Sequence, residues 1–225
     1  LASSAVPGFK RKDVTLEAYR AGLLPASALQ GASQPKHFVL PNAVISTDFT
    51  AGQMNRTGID TDVAVEGAGF FAVQMHDGTI AYTRDGQFHR SASGQLVTKQ
   101  GFAVLGEGGP IQLDPRNPDP LSIAESGEVS QGNETRGRLR VVEFNDPHLL
   151  TQISGSYFVA NHPDVAEVAA PTSKVQQSWL EAANSTPMLE MAGMVSSMRA
   201  YETNQRVIQI QDERMGRVIT ELSEL

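Results

Sequence analysis

DVAVEGAGFFAVQMHDGTIAYTRDGQFHRSASGQLVTKQGFAVLG, residues 62–106, is the stretch on which the fold turns. Within it, DVAVEG, GFFAVQM, IAYTRDG, QFHRSA, QLVTKQG and FAVLG are short runs rich in Val, Ile, Phe and Tyr, separated by Gly, Asp-Gly or Ser-Gly. Branched and aromatic side chains suit a pleated surface, and runs of about 4–6 residues between turn formers read as strands. Asp77-Gly78 and Asp85-Gly86 carry the hairpin signal, because a two-residue type I′ turn needs positive φ, which Asp tolerates and Gly takes freely. Gly67, Gly69, Gly78, Gly86 and Gly94, followed by Gly101 and Gly106, are therefore expected at the corners of an antiparallel sheet.

Outward from this stretch the pattern changes on both sides. Residues 1–57 hold Pro7, Gly8, Gly22, Pro25, Gly31, Pro35, Pro41 and Gly52 with no sustained period, which reads as an extended amino-terminal arm with one helical turn near DVTLEAY. Such an arm needs another surface to lie against. After residue 106, EGGPIQLDPRNPDP carries four prolines and reads as a long loop around one short strand, IQL. LSIAESGEVS, GRLRVVEF and SGSYFVA supply further strands, and breaker composition returns at 161–172, so the β domain is placed at 58–171.

Residues 172–225 switch period. Met191, Met194, Met198, Tyr201, Gln205, Ile208, Asp212, Met215, Ile219 and Leu222 follow a seven-residue repeat, and eight of these ten are apolar. The spacing predicts one long amphipathic helix from Pro187 to Glu224, opened by a Thr186 cap with Pro187 in the first turn. Gln205 and Asp212 interrupt the seam, as in an interface that sets register. With no second long helix in the chain to cover it, the stripe is expected to meet another molecule. The fold class is thus mainly β: an antiparallel domain of short strands with an extended amino-terminal arm and a long carboxy-terminal α-helix.

Composition and motifs narrow the chemistry. With 18 basic against 25 acidic residues among 225, the net charge of −7 argues against nucleic acid or an anionic membrane as partner. There is no cysteine, which removes disulfides, thiolate metal sites and cysteine nucleophiles, and no run approaches a membrane span. The opening residues lack the order of a secretory signal. Gly67 and Gly69 begin a dinucleotide-like pattern, but Ala72 stands at its third glycine and β-like sequence follows, so a turn is the better reading. Asp60 and Asp62 lack the later ligands of a calcium loop and read as a solvated turn. His37, His76, His89, His148 and His162 show no metal-ligand spacing, no serine sits in a nucleophile elbow, and Asn55, Asn133 and Asn184 match glycan triplets that arise often by chance. No catalytic residue, cofactor, metal or small-molecule substrate is expected.

Three blocks, in order, resemble the flagellar hook and basal-body rod family. Leu1, Ala2, Gly8, Phe9 and Lys10 match its amino-terminal signature, with Ser3 where asparagine is usual. Residues 62–106 are similar to its β domain, including Gly-x-Gly-Phe-Phe and Tyr-Thr-Arg-Asp-Gly, and SMRAYETNQRVIQIQDE is similar to its carboxy-terminal helix. The resemblance implies a non-enzymatic structural subunit of the flagellar rod, exported through the flagellar type III apparatus without a cleaved signal. It implies assembly with other rod proteins and with copies of itself through terminal helices. It also implies an amino-terminal helix upstream of the signature, without which the 191–222 seam would fray, swap or pack against another copy. VLGEGGPI and GRLRVVEFNDPHLL point to a rod member, another rod or a hook subunit being the alternative. A carbohydrate-binding β module is the rival of a different class, and it requires a concave aromatic patch.

Overall fold

The computed structural model describes residues 6–22, 37–170 and 172–223. The chain divides at Asn184 and Ser185 into a β unit and a helical unit. After two long strands, β1 (Lys12–Gly22) and β2 (His37–Thr47), come β3 (Met54–Arg56), β4 (Val63–Glu66), β5 (Phe70–Gln74), β6 (Ile80–Thr83), β7 (Phe88–Arg90), β8 (Leu96–Thr98), β9 (Ala103–Gly106) and β10 (Gly109–Pro110). They are followed by β11 (Leu121–Ile123), β12 (Glu128–Gln131), β13 (Glu134–Arg138), β14 (Val141–Phe144), β15 (Thr151–Ser154), β16 (Tyr157–Val159), β17 (Glu167–Ala169), β18 (Lys174–Gln177) and β19 (Trp179–Glu181). The helical unit is α1 (Pro187–Ser223).

The centre is a ten-stranded antiparallel sheet with path β15-β16-β6-β5-β9-β8-β7, while β10 joins β9 and β14 joins both β5 and β17. The inner strands β5, β9 and β16 read as continuous apolar runs because both faces are covered. On β5, Phe71 and Val73 enter one hydrophobic cluster while Phe70 and Ala72 enter a second. The same division sends Tyr157 and Val159 of β16 one way and Phe158 the other, and separates Val104 from Leu105 on β9. Successive side chains of a strand point to opposite faces, so a run without alternation is what a doubly buried strand requires. The second cluster is aromatic: Phe70 meets Phe144 and Phe158 edge-on at 5.7 and 6.1 Å, and Tyr82 meets Phe144 at 4.8 Å.

Two small sheets close the unit. β18 pairs with β4, and β19 pairs with β3, so strands continue past residue 171, where the sequence placed the end of the domain. The register changes at Ser178, whose φ of +64° is the left-handed conformation that a non-glycine residue rarely adopts. Residues 12–22 and 37–47 form an antiparallel ribbon in which Lys12 faces Thr47 and Gly22 faces His37. DVTLEAY is therefore strand, correcting the expected helical turn. IQL forms only an isolated bridge, Gln112 to Gln95.

The glycines divide by role. Gly78 (φ +85°) closes the β5–β6 hairpin, though in a loop of five residues between Gln74 and Ile80, and Gly94 (φ +86°) closes β7–β8. Gly67 (φ +122°) turns the chain between β4 and β5, which do not pair with each other. Gly86 is no hairpin corner, since β6 and β7 are not neighbours. A Cβ there would stand 1.6 Å from the Val63 carbonyl oxygen, so glycine is required by close backbone approach. Gly69 is needed likewise, with Val141 Cγ1 at 2.6 Å from a Cβ position.

Candidate assembly site

The helical unit presents an apolar stripe to solvent. α1 contains 37 residues, about 55 Å at 1.5 Å per residue. Its start has Glu190 N donating to the Thr186 carbonyl at 3.1 Å. Met191, Met194, Met198, Tyr201, Ile208 and Met215 are all more than half exposed, Tyr201 at 64% and Met215 at 66%. Gln205 donates to Tyr201 Oη at 2.9 Å, so this break in the seam is tied to its apolar neighbour one turn earlier. Asp212 is exposed within the same face, and the side chains of Ile219 and Leu222 lie outside the described residues. Met188, Val195, Val207 and Ile210 are exposed outside that repeat, widening the apolar surface. An apolar stripe of this length is stable when something covers it.

The β unit gathers a second feature from three distant parts of the chain. Lys10 Nζ donates to Glu181 Oε1 at 2.7 Å and to the Thr50 carbonyl at 2.7 Å. Gly52 N donates to the same carboxylate oxygen at 2.8 Å, and Arg84 Nη1 approaches Glu181 Oε2 at 3.4 Å. Lys10 and Glu181 are 1% exposed and Arg84 is 4% exposed. Desolvation holds both cations below their ordinary pKa, opposed by the Glu181 charge. Arg84 also donates to the Gly67 carbonyl at 2.8 Å and lies 4.8 Å over the Phe70 ring.

Backbone contacts surround this charge cluster. Gly8 N donates to the Glu181 carbonyl at 2.7 Å, Arg11 N to Asn184 Oδ1 at 2.7 Å, and Asn184 Nδ2 to the Asp48 carbonyl at 2.7 Å. Gly8, with φ +64°, sits where a Cβ would be 2.3 Å from the Arg84 carbonyl carbon. Thus Gly8, Phe9 and Lys10 dock onto the β unit, while Leu1 and Ala2 lie outside the described residues. Lys10 was legible as a motif residue, whereas Glu181 had no local signal. Asn184, matched as a glycan acceptor, uses its amide in this network.

The remaining sites are structural. Asp62 is 2% exposed, correcting the solvated-turn reading, and its Oδ2 has no hydrogen-bond partner. His76 packs on Phe102, His148 on Phe49, and His162 stands 3.7 Å from Asp164. Among the described residues no three His, Asp or Glu are placed to hold a metal ion, and no helix is long and apolar enough to cross a membrane. Among the described residues of the β unit, Phe70, Tyr82, Phe144 and Phe158 are buried in the second cluster and Phe71, Phe88 and Tyr157 in the first, so these rings are not displayed as a carbohydrate site would need. At the sheet surface Glu167 receives Tyr82 Oη and Arg140 Nη2. Burial and this bond raise the Tyr82 pKa. Burial pushes Glu167 up, but its bonds from Tyr82 and Arg140 win and lower it.

The comparisons agree with the two-part architecture. Residues 64–131 match the model of the flagellar hook protein FlgE/F/G D1 domain, and residues 176–221 that of the flagellar basal body rod FlgEFG protein C-terminal. The chain is 36% identical over 204 residues to the flagellar basal-body rod protein FlgF of Caulobacter vibrioides, covering 90% of this chain and 80% of the relative. It is 31% identical to FlgF of Escherichia coli over 96% of this chain and 87% of that protein. FlgG of Borreliella burgdorferi is 35% identical, over 75% of this chain and 67% of its own length.

Proposed function

Because the chain belongs to the flagellar basal-body rod protein family and is a structural subunit of that rod, we propose that it is built into the shaft through the apolar face of α1. The observation that carries this reading is the exposed row Met191, Met194, Met198, Tyr201, Ile208 and Met215. Burying it against helices of neighbouring copies or other rod proteins removes apolar surface from water at about 25 cal/mol per Å². Methionine suits such a seam because its flexible, polarizable side chain adapts to partners that are not identical. Gln205 and Asp212 then select register.

In this arrangement the chain is part of a periplasmic shaft whose subunits transmit torque mechanically. Its chemistry is packing, so the protein has no catalytic role, cofactor or small-molecule substrate. Export proceeds through the flagellar type III route. The blocks at 104–111 and 137–150 favour a FlgF-type over a FlgG-type position.

Replacing Met194 and Met198 with Asp tests the assembly face. The double variant is expected to fail to restore motility in a strain lacking the wild-type chain, while its β unit unfolds at the same temperature as wild type. Normal motility and normal incorporation into isolated basal bodies would refute the assignment of this face.

A further inference from the structure

Lys10, Arg84 and Glu181 place two buried cations against one carboxylate in contact with both. Arg84 Nε is itself buried without a hydrogen-bond partner. Breaking a buried pair by removing one member leaves the other charged and dry, which costs far more than the pair contributes when whole. The two cations differ in how they can relieve that cost. Arg84 follows β6 and is fixed over Phe70. Lys10 lies on a short segment that can reach water by leaving with residues 6–11. Neither hydrophobic cluster draws a residue from 6–11, the segment that would leave.

We propose that Glu181 is a positioning residue for assembly, a latch that ties residues 8–11 to residues 48–52 and 181–184 and so holds side by side the segment that enters the β unit and the segment that leaves it toward α1. The carboxylate joins Lys10 to Gly52, and its own backbone carbonyl accepts from Gly8. Asn184 completes the tie from the exit side, accepting from Arg11 N and donating to the Asp48 carbonyl. Opening the latch frees both ends while the central sheet stays folded, the behaviour of a local opening rather than of global unfolding. The consequence for assembly rests on the rod reading; the latch itself does not. In a rod subunit, load carried by the assembly segments enters the β unit at this joint.

Native-state hydrogen exchange on the full chain tests the latch, using Glu181→Gln, Lys10→Met and the double variant. In each single variant, protection at Gly8, Arg11 and Gly52 is expected to fall at least about 100-fold, as for one partner of a buried ion pair removed. Amides of β5 and β9 keep wild-type protection, and the double variant loses less than the product of the single effects because the charges are coupled. Unchanged protection at the three amides overturns the latch, and so does a loss shared equally by β5 and β9, which would mark Glu181 as a general stability residue. Motility is the second readout: Glu181→Gln is expected to reduce it. An open latch with wild-type motility removes the role in assembly yet leaves the rod reading intact. Failure of the rod reading shows separately, as absence of the wild-type chain from isolated basal bodies.

Discussion

Asp85 offers a perturbation whose sign and size follow from its surroundings. It is 5% exposed in the turn after β6, and its Oδ1 accepts from Gln87 N at 3.0 Å. Burial pushes its pKa from 3.8 to about 6, with the Asp62 charge acting in the same direction and the Gln87 bond and the Lys99 charge opposing. A rise of about 2 units at 1.36 kcal/mol each corresponds to about 3 kcal/mol of stability withheld once the group is ionised. The folded state binds this proton more tightly than the unfolded chain. The stabilising effect of protonation is therefore fully present below pH 3.8 and is lost as pH rises toward 6. Asp85→Asn keeps an acceptor for Gln87 N and removes the charge. At pH 7.5 the variant is expected to be more stable by about 1–3 kcal/mol, or about 3–10 °C for a chain of this length. The advantage should shrink steadily as pH is lowered toward 4. Urea unfolding of both proteins from pH 4 to 7.5 measures it. A variant less stable than wild type at pH 7.5, or an advantage that does not vary with pH, refutes the reasoning.

Two backbone positions give further expectations. Ser178→Gly relieves a left-handed residue at φ +64° and should raise stability by about 1 kcal/mol in the urea midpoint; Ser178→Val should lower it. Gly86→Ala sets a Cβ 1.6 Å from the Val63 oxygen and 2.7 Å from its carbonyl carbon. Because the obstacle is backbone, β4 must move away, and a loss above about 4 kcal/mol is expected in thermal unfolding.

The central strands were legible because turn residues and branched or aromatic runs are local signals. Phe70, Phe71, Ala72 and Val73 carry their own explanation, being buried alternately on two faces. The β1–β2 ribbon was missed for the complementary reason. Pro41 argued against a strand, yet it lies within β2 opposite Ala18, and the cross-strand pairing that holds it there leaves no local signal. Asp85-Gly86 has the composition of a hairpin, yet the chain there passes between strands that do not pair. Composition states what a residue permits, and the neighbour decides which permission is used. Asp62 likewise looked like a surface turn residue until strands distant in sequence covered it.

Residue order alone therefore established the elements whose cause is local: short strands between turn formers, and one long helix whose seven-residue repeat leaves an apolar face in need of a partner. Only the folded chain decided which glycines turn and which make room, that β18 and β19 belong to the β unit, and that Lys10 meets Glu181 across 171 positions of sequence. The physical reason is range. Propensity and periodicity act over a few residues, whereas the pairing of a buried charge depends on which distant carboxylate the closed sheet brings within hydrogen-bond distance.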